Sequence, residues 1–193
     1  AMGFGDPRTL GSGNPGATNV LRIAGEKAAA ITLAGDLLKG LIPVVVFIIL
    51  RRFFPAGIDD LVIVLVGLGA FFGHLYPMFF DFEGGKGVAT AFGVLLAWNP
   101  IIALLGAAIW GAVFYNTRIS SLSALSAAAF VAVASIFYTP GKDWAYMLTA
   151  VFIIVGMLFY RHRSNILRLV KGEEAPFGTS KLEDPFADED DED

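Results

Sequence analysis

The chain has 193 residues, of which 55% are hydrophobic and 17% are charged, and its mean hydropathy is +0.65. Soluble domains are less apolar and more highly charged, so the composition indicates a membrane protein. The absence of cysteine excludes disulfides, thiolate nucleophiles and cysteine-based metal sites. The net charge of −4 arises from acidic residues concentrated after Lys171. We expect residues 1–174 to form one integral membrane domain and residues 175–193 to be an acidic, disordered tail.

Long apolar stretches follow one another along the chain, each near or above the ~20 residues that cross a bilayer. They are residues 28–50, 61–80, 88–115, 119–138 and 144–160. The third contains Asn99-Pro100, and proline disfavours helix in the residue before it, so this stretch is predicted to divide into helices 88–98 and 100–115. The predicted fold is all-α, a polytopic bundle of six membrane helices that includes one short element.

Lysine and arginine indicate which loops share a side of the membrane. With six helices, the loops near residues 11–16, 81–87, 116–118 and 161–171 lie together on a side with ten basic residues, against three on the other. If residues 88–115 were a single span, the split would be a weaker five against eight. The positive-inside rule therefore favours six helices and places these loops in the cytoplasm.

The first polar loop, residues 11–22, is rich in glycine and leads into a membrane helix. Its G-x-G-x-x-G spacing imitates a dinucleotide fingerprint, but no strand precedes it. Glycines near a helix start expose backbone donors to an anion, and an arginine one turn later can grip a phosphate. The alternative is a surface turn with a helix cap. The residues predicted to bind phosphate are Ser12, Gly13, Asn14, Gly16, Thr18, Asn19 and Arg22.

A second candidate loop consists of Gly84, Gly85, Lys86 and Gly87. Its spacing does not match a Walker A loop, but three glycines around one lysine at a helix entrance can cradle an anion. An ordinary membrane turn with a lysine reaching the interface is the alternative. The number of glycines favours a phosphate-binding function.

The third candidate region, residues 161–169, is basic. His162 and Asn165 are three residues apart and share a helical face, and Ser121 lies on the same side of the membrane. Such a cluster can also simply anchor to anionic headgroups. Within the first helix, Asp36 and Lys39 are expected to pair inside the bundle, because unpaired charges there are costly.

Several chemistries lack their motifs in this sequence. It has no G-x-S-x-G elbow and no H-x-x-x-x-D acyltransferase box. Its two histidines have no acidic partner at ligand spacing, so we expect no metal site and no cofactor.

The three loops together resemble the three motifs of the bacterial acyl-phosphate:glycerol-3-phosphate acyltransferases. The similarity extends from Asp6 to Glu174. It implies transfer of a fatty acyl group from acyl phosphate to the 1-hydroxyl of glycerol 3-phosphate, giving lysophosphatidic acid and phosphate in phospholipid synthesis. The implied partners are these substrates and the lipid bilayer, with no nucleic acid, in a multi-pass monomer of the bacterial inner membrane whose active site faces the cytoplasm.

The resemblance also implies roles for individual residues. Arg22 and its loop would hold a phosphate, and the loop around Lys86 would bind glycerol 3-phosphate. His162, Asn165 and Ser121 would complete a catalytic site, with a substrate phosphate or His162 taking the hydroxyl proton. The family has a further N-terminal membrane helix, so its seven helices are expected to be six here.

Two other functions remain open at this point. A small anion transporter or channel would explain the helices, the basic mouth and the broken element, although no repeated half is visible. A non-catalytic membrane scaffold would leave the glycine-rich loops without a purpose.

Overall fold

The computed structural model describes residues 5–137 and 144–178, except for the side chain of Trp144. Within these ranges the fold is all-α, as predicted, with seven α-helices and a 3-10 turn at Met78–Phe80. The helices are α1 Ala17–Leu50, α2 Asp60–Leu75, α3 Val88–Trp98, α4 Pro100–Thr117, α5 Ser120–Phe137, α6 Trp144–Arg161 and α7 Arg163–Lys171.

Four segments are long and apolar enough to cross a membrane: Ala17–Leu50, Asp60–Phe80, Pro100–Thr117 and Ser120–Phe137. A fifth candidate is α6 together with α7, which are bent by 59°. The sixth predicted element, α3, has 11 residues and is about 16 Å long, roughly half the thickness of the hydrocarbon core.

Helix α1 begins eleven residues earlier than the predicted start at residue 28, because the end of the first polar loop is itself helical. Gly25 interrupts the helix with φ 77° and ψ −179°. On the N-terminal side of this break, Val20 packs against Ala28 and Ala29 beyond it. The break therefore folds a short helical segment, residues 17–24, back toward the rest of α1.

The predicted break between α3 and α4 is confirmed. Asn99 caps α4 by accepting a hydrogen bond from the backbone N–H of Ile102 at 3.2 Å, and Pro100 occupies the first turn of the helix. Proline suits that position because its missing N–H would have no helical partner there.

Helix α7 was not among the predicted helices, although His162 and Asn165 were expected to share a helical face. The sequence indicated a basic loop after residue 160, but the chain turns at His162 and forms nine further helical residues that end at Gly172, φ 71°. Asn165 is buried on one face, while Leu167 and Val170 are 63% and 82% exposed. Its bend away from α6 and its exposed apolar side chains fit a helix lying in the membrane interface.

Glycines allow α1 and α3 to pack backbone against backbone. A methyl group on Gly40 would lie 2.3 Å from the carbonyl oxygen of Thr90, and one on Gly93 would lie 2.1 Å from that of Leu37. Small residues at helix crossings permit such contacts in membrane proteins. This packing fixes the start of α3 beside the middle of α1.

Hydrogen bonds join the four polar loops at one end of the bundle, as the six-helix prediction required. The start of α1 reaches the start of α5 through Thr18 and Ser120, and Lys86 of the second loop reaches Asn165 of α7. The backbone N–H of Phe177 donates to the carbonyl oxygen of Arg118 at 2.7 Å, so the chain stays on the bundle beyond the proposed boundary at 174. Most of the predicted tail, residues 179–193, lies outside the described residues.

Candidate active site

A cavity of about 700 Å³ begins among the loops that precede α1 and α3, the start of α5 and the region of α7, and it extends between the helices. Its polar end is lined by side chains from the loops and from α7. Its deeper part is apolar, lined by α3, α4, α5 and α6 through residues that include Phe92, Leu95, Val131, Ile154 and Leu158. One space therefore combines a polar mouth with a hydrocarbon-like interior, which suits an amphiphilic molecule.

The first loop is held in shape by Asn19, which is 1% exposed. Its Nδ2 donates to the carbonyl oxygens of Pro7 and Leu10 at 2.9 and 3.0 Å, and its Oδ1 accepts from the backbone N–H of Ser12 at 2.9 Å. Both amide hydrogens are thus used within the loop. Asn19 shapes the loop and has no donor left for a ligand.

Arg22 lines the cavity one turn into α1. Within residues 5–137 and 144–178, its guanidinium forms no hydrogen bond or ion pair, which leaves its donors available to an anion. The start of α1 borders the same space through Gly16, Ala17 and Thr18, and a helix N-terminus presents backbone donors to an anion. Thr18 and Ser120 add hydroxyl groups, their oxygens 3.1 Å apart.

The second loop is clamped by Arg161, which the sequence did not single out. One guanidinium nitrogen, Nη2, donates to the carbonyl oxygens of Gly84 and Gly85 at 2.6 and 3.0 Å. Gly87 then adopts φ 87° as the N-cap of α3, a conformation that glycine accommodates without strain. Arg161 therefore holds the backbone from which Lys86 projects.

Lys86 meets α7 at the polar end of the cavity. Its Nζ donates to Oδ1 of Asn165 at 2.7 Å. Burial, together with the nearby guanidinium groups of Arg168, Arg22 and Arg161, lowers the pKa of Lys86 to about 8, against the opposing effect of Glu174. A buried ammonium in this setting attracts a phosphate strongly.

Glu174 organises the remaining polar groups. Its Oε1 accepts from Ser121 Oγ and from Asn165 Nδ2, both at 2.5 Å, and its Oε2 accepts from Arg168 Nε at 2.6 Å. Burial alone would raise the pKa of Glu174, but these three hydrogen bonds hold it below its usual value. The carboxylate is therefore ionised, and it fixes the orientation of the Asn165 amide.

His162 lies between α6 and α7 and is 3% exposed. Its Nδ1 is 2.8 Å from the carbonyl oxygen of Leu158, which can only accept, so Nδ1 carries a proton and Nε2 is the free acceptor. Burial lowers the pKa of His162 to about 4. The imidazole is neutral near pH 7.

The structure brings the predicted site residues together. Of the fourteen, those lining the cavity are Ser12, Asn14, Gly16, Thr18, Asn19, Arg22, Lys86, Gly87, Ser121, His162 and Asn165. Gly13, Gly84 and Gly85 do not line it. Ser120, Arg161 and Arg168 lie next to or within the predicted regions but were not named as site residues, and Glu174 was not predicted. The sequence indicated only that two acidic residues, Glu173 and Glu174, follow a basic cluster. That pattern does not show which of the two enters the site.

Among the described residues, no group of three or more histidine, aspartate or glutamate side chains has the arrangement of a metal site. The donors at the mouth are cations, amides and hydroxyls, which suit an anion.

Comparison with known proteins identifies the family. The sequence model described as glycerol-3-phosphate acyltransferase matches residues 1–172. The chain belongs to the glycerol-3-phosphate acyltransferase family. It is 48% identical over 179 residues to the glycerol-3-phosphate acyltransferase of Neisseria meningitidis serogroup A / serotype 4A, covering 93% of this chain and 87% of that protein. The corresponding protein of Thiobacillus denitrificans is 49% identical over 178 residues, 92% of this chain and 86% of the relative.

Solved structures of this acyltransferase family share the fold. The glycerol 3-phosphate form of PlsY (YgiH), an integral membrane glycerol 3-phosphate acyltransferase, superposes with a TM-score of 0.80 at 40% identity, covering 91% of this chain and 84% of PlsY. Its lysophosphatidic acid form gives a TM-score of 0.76 at 40% identity, with 87% and 82% covered. Membership of an acyltransferase family leaves the transporter and scaffold alternatives without support.

Proposed function

We propose that this protein transfers a fatty acyl group from acyl phosphate to the 1-hydroxyl of glycerol 3-phosphate, releasing lysophosphatidic acid and phosphate. It acts as a monomer in the bacterial inner membrane with its active site facing the cytoplasm. Glycerol 3-phosphate as the acceptor follows from membership of the family, whose PlsY structures are named for their glycerol 3-phosphate and lysophosphatidic acid forms.

The observation that carries the proposal is the continuity of the cavity from a cationic mouth to an apolar interior. A phosphate binds at the mouth, where Arg22 offers guanidinium donors and Lys86 offers a point charge. The acyl chain lies in the apolar part between α3, α4, α5 and α6. The reacting atoms of both substrates are thereby held at the same depth in the cavity. Such positioning supplies much of the rate enhancement in a group transfer.

Acyl phosphate fits this site because the donor is already activated. Ser121 lines the cavity with its hydroxyl, but it donates to Glu174, whose lowered pKa makes the carboxylate a poor base. Ser121 is therefore not deprotonated to form an acyl-enzyme. The 1-hydroxyl oxygen of glycerol 3-phosphate attacks the acyl carbon directly, and the bond from that carbon to the phosphate oxygen breaks.

The proton of the attacking hydroxyl goes to the departing phosphate. With a pKa of about 4, His162 is too weak a base to keep that proton near pH 7. Its free Nε2 instead accepts a hydrogen bond from the hydroxyl and orients the attack. Arg22 and Lys86 stabilise the charge that develops on the phosphate.

Donor specificity is tested with purified protein, glycerol 3-phosphate and either acyl phosphate or an acyl thioester, the acyl-coenzyme A or acyl-carrier-protein conjugate. We expect lysophosphatidic acid and phosphate to appear in equal amounts from acyl phosphate, and no product from the thioesters. A trapped acyl-serine at Ser121, or turnover with a thioester alone, would refute the direct transfer.

A further inference from the structure

Beneath the Lys86 loop lies a cluster of three ionisable side chains to which the mechanism assigns no part. Lys39 Nζ is 2.7 Å from Oδ1 of Asp36, as the sequence predicted. His74 of α2 joins them, its Nδ1 3.5 Å from both the Asp36 oxygen and the Lys39 nitrogen. The side chains of Asp36 and His74 are only 12% and 8% exposed. Charged groups inside a membrane helix bundle are costly, so their retention needs a reason.

The opposite edge of the His74 ring supports the second loop. A methyl group on Gly85 would lie 2.4 Å from His74 Nε2 and 2.8 Å from Cε1, so the loop backbone rests directly on the imidazole. Gly84 rests on the last turn of α2 itself: its methyl group would lie 2.1 Å from the carbonyl oxygen of His74. Gly84 and Gly85 therefore meet the same residue through different atoms.

On its other side the loop is held by Arg161, which binds the carbonyl oxygens of Gly84 and Gly85. The backbone is thus enclosed between an imidazole and a guanidinium. Asp36 also connects this arrangement to α3, since its carbonyl oxygen accepts a hydrogen bond from Thr90 Oγ1 at 2.8 Å. Asp36 and His74 line the same cavity as Lys86.

We propose that His74 is a positioning residue for Lys86: its imidazole, oriented by Asp36 and Lys39, is the support that sets the height of Gly85 and hence the reach of the lysine to the substrate phosphate. This inference rests on the proposed phosphate-binding function of the loop. His74 itself touches no substrate. Its removal lets the loop sink and moves the ammonium away from the phosphate.

The test is a double-mutant cycle with a matched control. Gly85→Ala places a methyl group against the ring, and overpacking of this kind is expected to raise the KM for glycerol 3-phosphate about tenfold or more. Adding His74→Ala removes the obstructing atoms, so the double variant should recover to the KM of His74→Ala alone. The methyl group of Gly84→Ala would contact backbone atoms, which His74→Ala leaves in place. His74→Ala should therefore not lower the KM of Gly84→Ala.

His74→Ala alone should raise the KM for glycerol 3-phosphate several-fold, while kcat at saturating substrate stays within about twofold, because the reacting groups are unchanged. His74→Gln, which keeps some of the support, should lie between. Additive effects of Gly85→Ala and His74→Ala on KM would overturn the proposal. Equal relief of Gly84→Ala would also overturn it.

The same cycle measured by thermal unfolding separates the two inferences, because the contact between His74 and Gly85 exists without substrate. Absence of acyl transfer by the unaltered protein would refute the proposed function while the unfolding cycle still reports the contact. Normal turnover with additive unfolding temperatures would refute the role of His74 and leave the proposed function intact.

Discussion

Lys86 is the residue whose chemistry depends most on its surroundings. Its pKa, lowered to about 8 by burial, means that the free protein loses this charge as the pH rises through that value. We expect kcat/KM for glycerol 3-phosphate to be level below pH 8 and to fall above it, because a neutral amine no longer attracts the phosphate. The measurement is a pH profile of kcat/KM. Lys86→Arg, which stays charged, should show no such fall in this range; an alkaline limb that survives in this variant would assign the titration elsewhere.

Arg22 has no hydrogen-bond or ion-pair partner among residues 5–137 and 144–178, and the geometry of its guanidinium predicts a strong dependence on residue type. Arg22→Lys keeps the charge but cannot form two parallel hydrogen bonds to a phosphate. Each charge-assisted hydrogen bond that is lost costs about 1.5–3 kcal/mol of binding free energy. We expect kcat/KM to fall about ten- to a hundredfold, and further in Arg22→Ala. Arg52→Ala is the control, because Arg52 is exposed at the opposite end of the bundle. Equal activity of Arg22→Ala and Arg52→Ala would place the phosphate elsewhere.

Asn165 links two groups of opposite charge, because its amide both accepts and donates hydrogen bonds. Its oxygen accepts from Lys86 and its nitrogen donates to Glu174. Asn165→Asp would set a second carboxylate against Glu174, and two like charges that close raise the pKa of one of them. We expect a loss of about a hundredfold or more in kcat/KM at pH 7. The activity relative to the unaltered protein should rise as the pH is lowered and the pair gains a proton; a constant ratio across pH 5–8 would contradict this reasoning.

At the scale of the helix, Gly25 offers a test of the break in α1. Its φ of 77° with ψ −179° is a backbone conformation that is essentially restricted to glycine, and nothing lies within 4 Å of an added methyl group. Gly25→Ala should therefore lower stability by about 1–3 kcal/mol through strain alone. It should also reduce activity, because the break aims Thr18 and Arg22 at the cavity.

Gly35 of the same helix is the matched control. It also has open space around it, but its backbone is helical, so alanine there is favoured by about 1 kcal/mol. Gly35→Ala should leave the unfolding temperature in detergent unchanged or raise it. If both variants unfold alike, the break at Gly25 does not need its glycine.

The two breaks in the helices differ in how far sequence could foresee them. Asn99-Pro100 was predictable, because proline ends a helix through its own covalent structure. Gly25 was not, because a single glycine is also tolerated within a helix. The spacing of His162 and Asn165 indicated a helical face, but α7 was not foreseen as a separate helix. Five of its nine residues are polar, and apolar length, the signal used for membrane helices, does not detect an interfacial helix.

For the molecule as a whole, charge bias correctly predicted which loops meet, since it reports on the side of the membrane that each loop occupies. The arrangement within the site was beyond the sequence. Glu174 reaches Ser121 only because the chain bends by 59° after α6 and turns again at Gly172. Arg161, adjacent in sequence to His162, points instead at the loop of Gly84 and Gly85. Such pairings depend on bend angles that no local pattern encodes.

The predicted orientation in the membrane can be tested by labelling introduced cysteines. The chain has no cysteine, so each introduced cysteine is unique. Asn116 and Ser164 are exposed at the end of the bundle that carries the site, and Gly57 is exposed at the other end. Each is replaced by cysteine in turn. In intact cells an impermeant maleimide should label only position 57, and the other two should react after permeabilisation. Labelling of 116 and 164 from opposite sides would refute the six-helix arrangement, and complete inversion would refute the cytoplasmic site.

The hydrogen bonds of Asn19 have a consequence for how substrate is met. Because one buried amide ties Pro7, Leu10 and Ser12 together, contacts within the fold fix the shape of the first loop. The conformational entropy of that loop is lost during folding, not at each encounter with an anion. The mouth of the cavity therefore behaves much like a rigid receptor. Each contact with a phosphate can then be weak and the site still selective, because binding requires little further ordering of the protein.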